Sequence, residues 1–343
     1  MFGTYRTLLA LAVLFQHLAG VPLIGHFAVY GFFVLSGYLM TAIMHKTYGY
    51  SLQGRFAYLV NRFLRLFPTY WLICLLTIGL ILFYGEAATR AYHSAIFLPR
   101  ELADIIANAS LIFPATSPKW VEPRLAPPTW ALTLEIVFYV LIGLGVSRSR
   151  RTTLAWLAVG AGYVGATFAL ELGHESRYSY IPAASLPFSI GALLFHYKTQ
   201  TARIAAAVPG HALAWLPLYL LLAFLAQSNN RALIEPVFFA NIALHALIIT
   251  KLRDMPRSGW LTQADKLIGD LSYPIYLGHY QAGFIVTIVF WGSPLREGSN
   301  ASMLAAALAA ALAVATAYLI NRILDSRIEA LRRALKRHAP VTS

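Results

Sequence analysis

The chain has 343 residues, 58% of them hydrophobic and 12% charged, with a mean hydropathy of +0.62. A water-soluble domain typically carries about 25% charged residues, so half of the charge that would cover such a surface is missing and a water-soluble domain is excluded. The net charge of +13 raises the question of a nucleic-acid partner, which the placement of the basic residues answers below. The one cysteine, Cys74, lies in an apolar run, which excludes an intrachain disulfide and a cysteine-ligated metal site, and no metal is expected.

A membrane-crossing helix needs about 20 mostly apolar residues. Residues 7–45 contain no Asp, Glu, Lys or Arg, which leaves room for two helices near 5–22 and 27–45, with Gly20, Pro22 and Gly25 at the turn between them. The first has only Arg6 ahead of it and no small-residue cleavage site, so it reads as a retained helix and not as a signal peptide. Further spans are expected near 66–84, 130–146, 152–171, 180–197, 205–226, 232–250, 272–291 and 301–321. The fold class is therefore an all-α polytopic membrane protein of about ten transmembrane helices. Residues 1–321 form the membrane domain and 322–343 a basic cytoplasmic tail.

With both termini in the cytoplasm, twenty of the 27 Lys and Arg residues fall on the inner side and seven on the outer, which is the positive-inside pattern. The charge is thus topological, and no nucleic-acid partner is expected. Residues 322–338 have the composition of a basic amphipathic helix at lipid headgroups. The longest outer segment, 85–129, contains apolar residues at 102, 105, 106, 109, 112 and 113, the spacing of an interfacial or re-entrant helix. Pro114, Pro118, Pro123, Pro127 and Pro128 then force irregular backbone.

Ionisable side chains inside spans are costly and mark function by default. They are His17, Glu135, His196, His245 and His279; Glu235 sits close enough to an outer end to reach water. His196 is at an inner, interfacial end, and His245 fits a structural hydrogen bond across helices as well as it fits chemistry. Arg6 precedes His17 by eleven residues, about 16 Å of helix and close to three turns, so both share a face. Counting from span ends puts His17 and Glu135 at one depth, about 7–8 Å below the outer surface. A carboxylate there would fix the imidazole tautomer; the alternative is two unrelated polar residues bonded to other helices. Arg62 and Arg65 open the third span one turn apart and suit phosphate recognition, although anchoring alone would also use them. His279, seven residues into the ninth span, is placed about 10 Å from the inner surface.

These residues carry a resemblance. The chain resembles the acyltransferase 3 family of integral membrane acyltransferases over nearly its whole length, in its stand-alone form. The Arg-x10-His pattern is Arg6 to His17, and Phe32-Phe33-Val34-Leu35-Ser36-Gly37 matches the Phe-Phe-x-Leu-Ser-Gly pattern. The arginine-rich opening of the third span holds Arg62 and Arg65. Trp130-Ala131-Leu132-Thr133-Leu134-Glu135 followed by Phe138-Tyr139, and Gly269 through Ser272-Tyr273, Tyr276 and His279, supply two more. Gly3, Tyr30 and Ala131 depart from the family's pattern, the first two where acidic residues are common, so other partners must hold Arg6 and the first hairpin.

The resemblance implies transfer of an acyl group, acetyl in the simplest case, from cytoplasmic acyl-CoA to a hydroxyl of a cell-surface or lipid-linked glycan at the outer face. Acyl-CoA (acetyl-CoA) is a donor substrate and not a resident cofactor. His17 would be the general base or acyl carrier and Glu135 its orienting partner. Arg6, Arg62 and Arg65 would hold the donor's phosphates, Tyr276 and His279 would line the thioester's path, and Trp130 would meet the acceptor. Ser36 and Gly37 read as helix-packing residues. The expected location is the cell inner membrane. The competing reading is a proton-coupled secondary transporter using His17 and Glu135, and a third is a structural scaffold.

Overall fold

The structure is a computed structural model that describes residues 1–226, 233–255, 259–293 and 300–337; Arg231, Arg257, Arg296 and His338, which entered the charge pattern, lie outside these. Among the described residues there are helices and no strands. In chain order they are α1 (Phe2–Ala19), α2 (Ile24–Ile43, continued by a π-helical turn Met44–Tyr48), α3 (Leu52–Tyr84), α4 (Glu86–Tyr92) and α5 (Leu102–Ser110). Then come α6 (Trp130–Leu144), α7 (Arg150–Ala169), α8 (His174–Tyr178), α9 (Ser185–His196), α10 (Lys198–Ala207) and α11 (Leu216–Ala226). The last are α12 (Ile234–Asp254), α13 (Gly259–Trp291), α14 (Asn300–Ile320) and α15 (Ser326–Arg337).

Among the described residues, helix occupies most of each of the ten expected segments. Among the described residues six helices are long and apolar enough to cross a membrane, or seven if one bent pair counts as a span. The difference has physical causes. Helices α1 and α13 spend part of their apolar length on Arg6, Gln16 and His17 and on Asp265, Lys266, Asp270, His279 and Gln281, and α9 is short. The expected span 205–226 is broken: Lys198–Ala207 and Ala212–Ala226 meet at a 70° bend, where Pro209 and Gly210 cannot continue a helix.

The centre of the bundle is α1 lying parallel to α13. Gly3 meets Asp265, Arg6 meets Gly269 and His17 meets His279, so fourteen residues on one helix match fourteen on the other. Equal rise keeps the pair in step for about 21 Å. The two helices thus run in one direction, from an end rich in arginine to an end rich in histidine. On the other side α2 packs along α9, with Phe33 on Phe188 and His45 on Phe195. The backbones there touch: a Cβ at Gly37 would lie 2.1 Å from the Phe188 carbonyl oxygen, and one at Gly191 2.0 Å from that of Val34. Gly37 is accordingly a packing residue, as its sequence context suggested.

Helix α3 is capped by Ser51, whose hydroxyl accepts from the Gly54 N–H at 3.1 Å, and runs for 33 residues. At 1.5 Å per residue this is about 50 Å, against about 30 Å of hydrocarbon. Arg62 and Arg65 therefore do not open the helix; they sit about a third of the way along it. The long connection after α3 is ordered by buried polar groups. Asn108 donates to the Pro123 carbonyl at 2.8 Å and accepts from the Leu125 N–H at 2.9 Å. Arg124, 4% exposed, donates to the carbonyls of Pro127, Lys119 and Val121. Leu102, Ile105 and Ile106 of α5 remain exposed, the apolar face an interfacial helix requires.

Candidate active site

Two polar clusters occupy opposite ends of the α1–α13 pair. At the arginine end a cavity of about 110 Å³ is lined by Arg6, Arg62, Arg65, Ser36, Glu135, Tyr139, Tyr273 and Tyr276 among apolar side chains. Arg6 donates to the Gly269 carbonyl at 3.1 Å while its Nε is buried without a partner among the described residues. Arg62 donates to Asn61 Oδ1 at 2.5 Å, and Arg65 lies 3.9 Å from Asp270. The sequence segments 6, 62 and 65 are thus brought to one wall. Guanidinium groups with free donors facing a cavity are what a phosphate-bearing ligand needs.

Glu135 belongs to this cavity. Its Oε1 accepts from Ser36 Oγ at 2.5 Å and from the Tyr139 hydroxyl, one helical turn below on α6. No hydrogen bond joins it to His17, so the expected His17–Glu135 pair is not formed. Counting from span ends misjudged their relation because α6 packs its polar face against Ser36 of α2, toward the arginines. Ser36, read from sequence as a packing residue, is a polar wall of the cavity and the direct partner of the carboxylate.

His17 instead pairs with His279. His17 Nδ1 lies 2.9 Å from His279 Nε2, and His279 Nδ1 lies 2.8 Å from the Tyr276 carbonyl oxygen. The rings are nearly parallel, 5.1 Å apart, and Tyr280 stacks on His17 at 5.1 Å. His279 is therefore at the depth of His17 and not near the inner surface, because α13 starts at Gly259, well ahead of the apolar run that suggested a span at 272–291. Tyr276 connects the clusters: its ring lines the cavity, its hydroxyl donates to the Pro128 carbonyl at 2.9 Å, and its own carbonyl accepts from His279.

Around this pair stands a shell that sequence reasoning missed. His93 packs edge-on to Tyr280 at 4.7 Å, His26 stacks on Tyr178 at 4.1 Å, and His174 is 6.1 Å from His26. Five of the ten histidines thus gather at one end. Burial pushes the His93 imidazole down to about 4, helped by Arg124, so this loop histidine is neutral at physiological pH. Lys119 pairs with Glu175 at 2.7 Å. Burial acts against the Glu175 charge, but Lys119 and Ser179 hold its carboxyl below the ordinary value. Attention to ionisable groups inside spans alone hid this shell; the signal was the run of histidines in segments assigned to one side.

Trp130 is 6% exposed and edge-on to Tyr178 at 5.2 Å, so its indole is packed inside the loop and offers little face to an acceptor. His245 is a structural link: it accepts from Tyr5 through Nδ1 at 2.6 Å and donates to the Phe27 carbonyl at 2.9 Å. Glu235 does not reach for water but pairs with buried Arg177 at 2.8 Å and with His174 at 3.1 Å.

The family departures have partners as well. In place of an acidic side chain at position 3, the carboxylate of Asp265 on α13 accepts from the N–H groups of Gly3 and Thr4 at 3.0 and 2.8 Å. A Cβ at Gly3 would fall 1.7 Å from the Asp265 carbonyl oxygen. Tyr30 donates to the Arg177 carbonyl at 2.5 Å.

No curated protein and no solved structure matches the chain. Residues 1–322 match the acyltransferase 3 family, described as an acyltransferase domain, and this covers every cavity and histidine residue named above. On that match the chain belongs to the acyltransferase 3 family and is a membrane acyltransferase.

Proposed function

We propose that the protein transfers an acyl group, acetyl in the simplest case, from cytoplasmic acyl-CoA to a hydroxyl of a glycan presented at the opposite face of the bacterial inner membrane. The observation that carries this reading is the chain of contacts from the arginine-lined cavity through Tyr276 and His279 to His17. Arg6, Arg62 and Arg65 hold the donor's phosphates at the cytoplasmic end, and the narrow cavity beside Glu135 and Tyr276 admits the slender thioester arm.

The hydrogen bonds assign a tautomer. A carbonyl oxygen only accepts, so His279 Nδ1 carries the proton donated to Tyr276. Neutral His279 then presents a lone pair at Nε2, and His17 Nδ1–H donates to it. This leaves the lone pair of His17 on Nε2, which has no hydrogen-bond partner among the described residues, and the residue is only half-buried. In direct transfer His17 Nε2 takes the acceptor's hydroxyl proton as the oxygen attacks the thioester carbonyl carbon. The C–S bond then breaks and the departing thiolate takes the proton back. In the relay variant Nε2 itself attacks the thioester carbonyl carbon and the C–S bond breaks to release coenzyme A as a thiolate. The acceptor hydroxyl then attacks the acyl-imidazole carbon, the C–N bond breaks, and the hydroxyl's proton passes by way of the freed imidazole to the thiolate. His279, and not Glu135, is the residue that orients His17; Glu135 acts on the donor side.

The transporter reading loses its motivating pair, because His17 and Glu135 sit in separate clusters. The test gives membranes containing the protein labelled acetyl-CoA and candidate glycans. Wild type is expected to label the acceptor and His17→Ala to lose about 10²-fold or more of the rate while inserting normally. Full transfer by His17→Ala would remove His17 from the mechanism, and proton-driven uptake with no acylation would favour a carrier.

A further inference from the structure

Helix α15 lies beyond the residues that match the family, and it does not lie free on the surface. It packs against α3 and carries Arg332 to the flank of the arginine-lined cavity, where Nη2 is 3.4 Å from Asn61 Oδ1. That same oxygen accepts from Arg62 Nη2 at 2.5 Å, so two guanidinium groups converge on one neutral amide oxygen. The Arg332 side chain is 12% exposed and pairs with Glu329 of its own helix at 2.7 Å. Tyr58 lies under Arg62, 6.0 Å from ring centroid to guanidinium carbon, and Tyr48 packs on Tyr58 at 5.9 Å.

The donors here are short of acceptors. Arg62 Nε, Arg332 Nε, Asn61 Nδ2 and the hydroxyls of Tyr48 and Tyr58 are all buried and have no hydrogen-bond partner among the described residues. One unpaired buried donor is a local cost, but five around two cations leave a site built for an acceptor-rich anion. Burial, and Arg65 nearby, push the Arg332 guanidinium down to about 10, as expected for a cation set among cations with too few counter-charges. A phosphate offers three oxygens and up to two negative charges, which matches the paired planar donors of arginine.

We propose that Arg332, delivered by α15, is a further phosphate-binding residue, and that with Asn61, Arg62, Tyr48 and Tyr58 it holds a phosphate of the acyl donor's nucleotide. This rests on the acyl-CoA reading above. It makes the C-terminal helix part of the donor site, so that a segment outside the family match completes a pocket begun on α3.

The test uses full-length protein in nanodiscs of phosphatidylcholine and measures the Kd of free coenzyme A, with adenosine 3′,5′-bisphosphate as competitor. Arg332→Gln is expected to bind coenzyme A about tenfold more weakly with an unchanged thermal midpoint, and the competitor to weaken in parallel. Arg332→Lys, which keeps the charge but not the planar fork, is expected to fall between. If both variants bind as wild type does, Arg332 is not a phosphate ligand and the proposal fails while the donor reading stands. Wild type that binds no coenzyme A overturns the donor reading and this proposal with it. If the variants bind coenzyme A normally but lose retention of phosphatidylglycerol added to the nanodiscs, the occupant is a lipid headgroup and the nucleotide assignment is overturned.

Discussion

His279 donates through Nδ1 to a carbonyl that can only accept, and this single bond leaves its Nε2 as the acceptor facing His17, about 16 Å along α1 from Arg6. A residue that orients a base, without touching substrate, has a distinct kinetic effect. His279→Gln is expected to lower kcat by roughly 10²-fold and to leave the KM for acyl-CoA within about twofold, because uniform donor binding is untouched. Steady-state kinetics with varied donor concentration checks this; a rise in KM with normal kcat would place His279 on the donor path instead. Glu135 carries the opposite lesson. Its carboxylate has the right residue type for a catalytic dyad, yet Ser36 and Tyr139 hold it beside the arginines.

At the scale of elements, the docking of α1 on α13 sets the distance between the two clusters. Its lower end is fastened by Asp265, which accepts from two backbone N–H groups and the Thr4 hydroxyl at the start of α1. The side chain does from another helix what an N-cap residue does from its own. Burial opposes the Asp265 charge, but these donors hold its carboxyl below the ordinary value. A carboxylate with a depressed folded-state pKa contributes stability that is present above the unfolded value and is lost as pH falls through the folded one. Asp265→Ala is therefore expected to cost about 1 kcal/mol near neutral pH, with the gap to wild type closing in acid. Thermal unfolding of both proteins across a pH series checks it; a gap that widened in acid would contradict the assignment.

At the scale of the whole molecule, arginines gather at one end of a bundle and histidines at the other, joined by a parallel helix pair about 21 Å in step. If the donor and acceptor ends face opposite compartments, their surfaces must be reachable from opposite sides. Cys74 is buried, so single-cysteine variants report cleanly in a Cys74→Ser background. A cysteine placed at exposed Trp120, near the histidines, is expected to react with a membrane-impermeant maleimide in right-side-out vesicles. One placed at exposed Phe56, on the arginine end of α3, is expected to react only after permeabilisation. Labelling of both from one side would overturn the two-ended architecture.

Composition and charge spacing alone determined that the chain is a helical membrane protein, where its apolar runs lie, and that Arg6, His17, Arg62, Arg65, Glu135 and His279 stand out, while Tyr276 came with the family resemblance. Those are properties of one-dimensional patterns: apolar run length, period and rare polar interruptions. Which of those residues meet was decided only by tertiary structure. Depth counted from a span's end assumes that helices begin where apolar runs begin, and α3 and α13 begin far earlier. Azimuth around a helix is not written in its own sequence either, so the side chain that reaches His17 depends on how α1, α6 and α13 rotate to bury their neighbours. Packing turned Glu135 toward the arginines and His279 toward His17, and it drew Arg332 in from a tail that by composition belongs to the lipid surface.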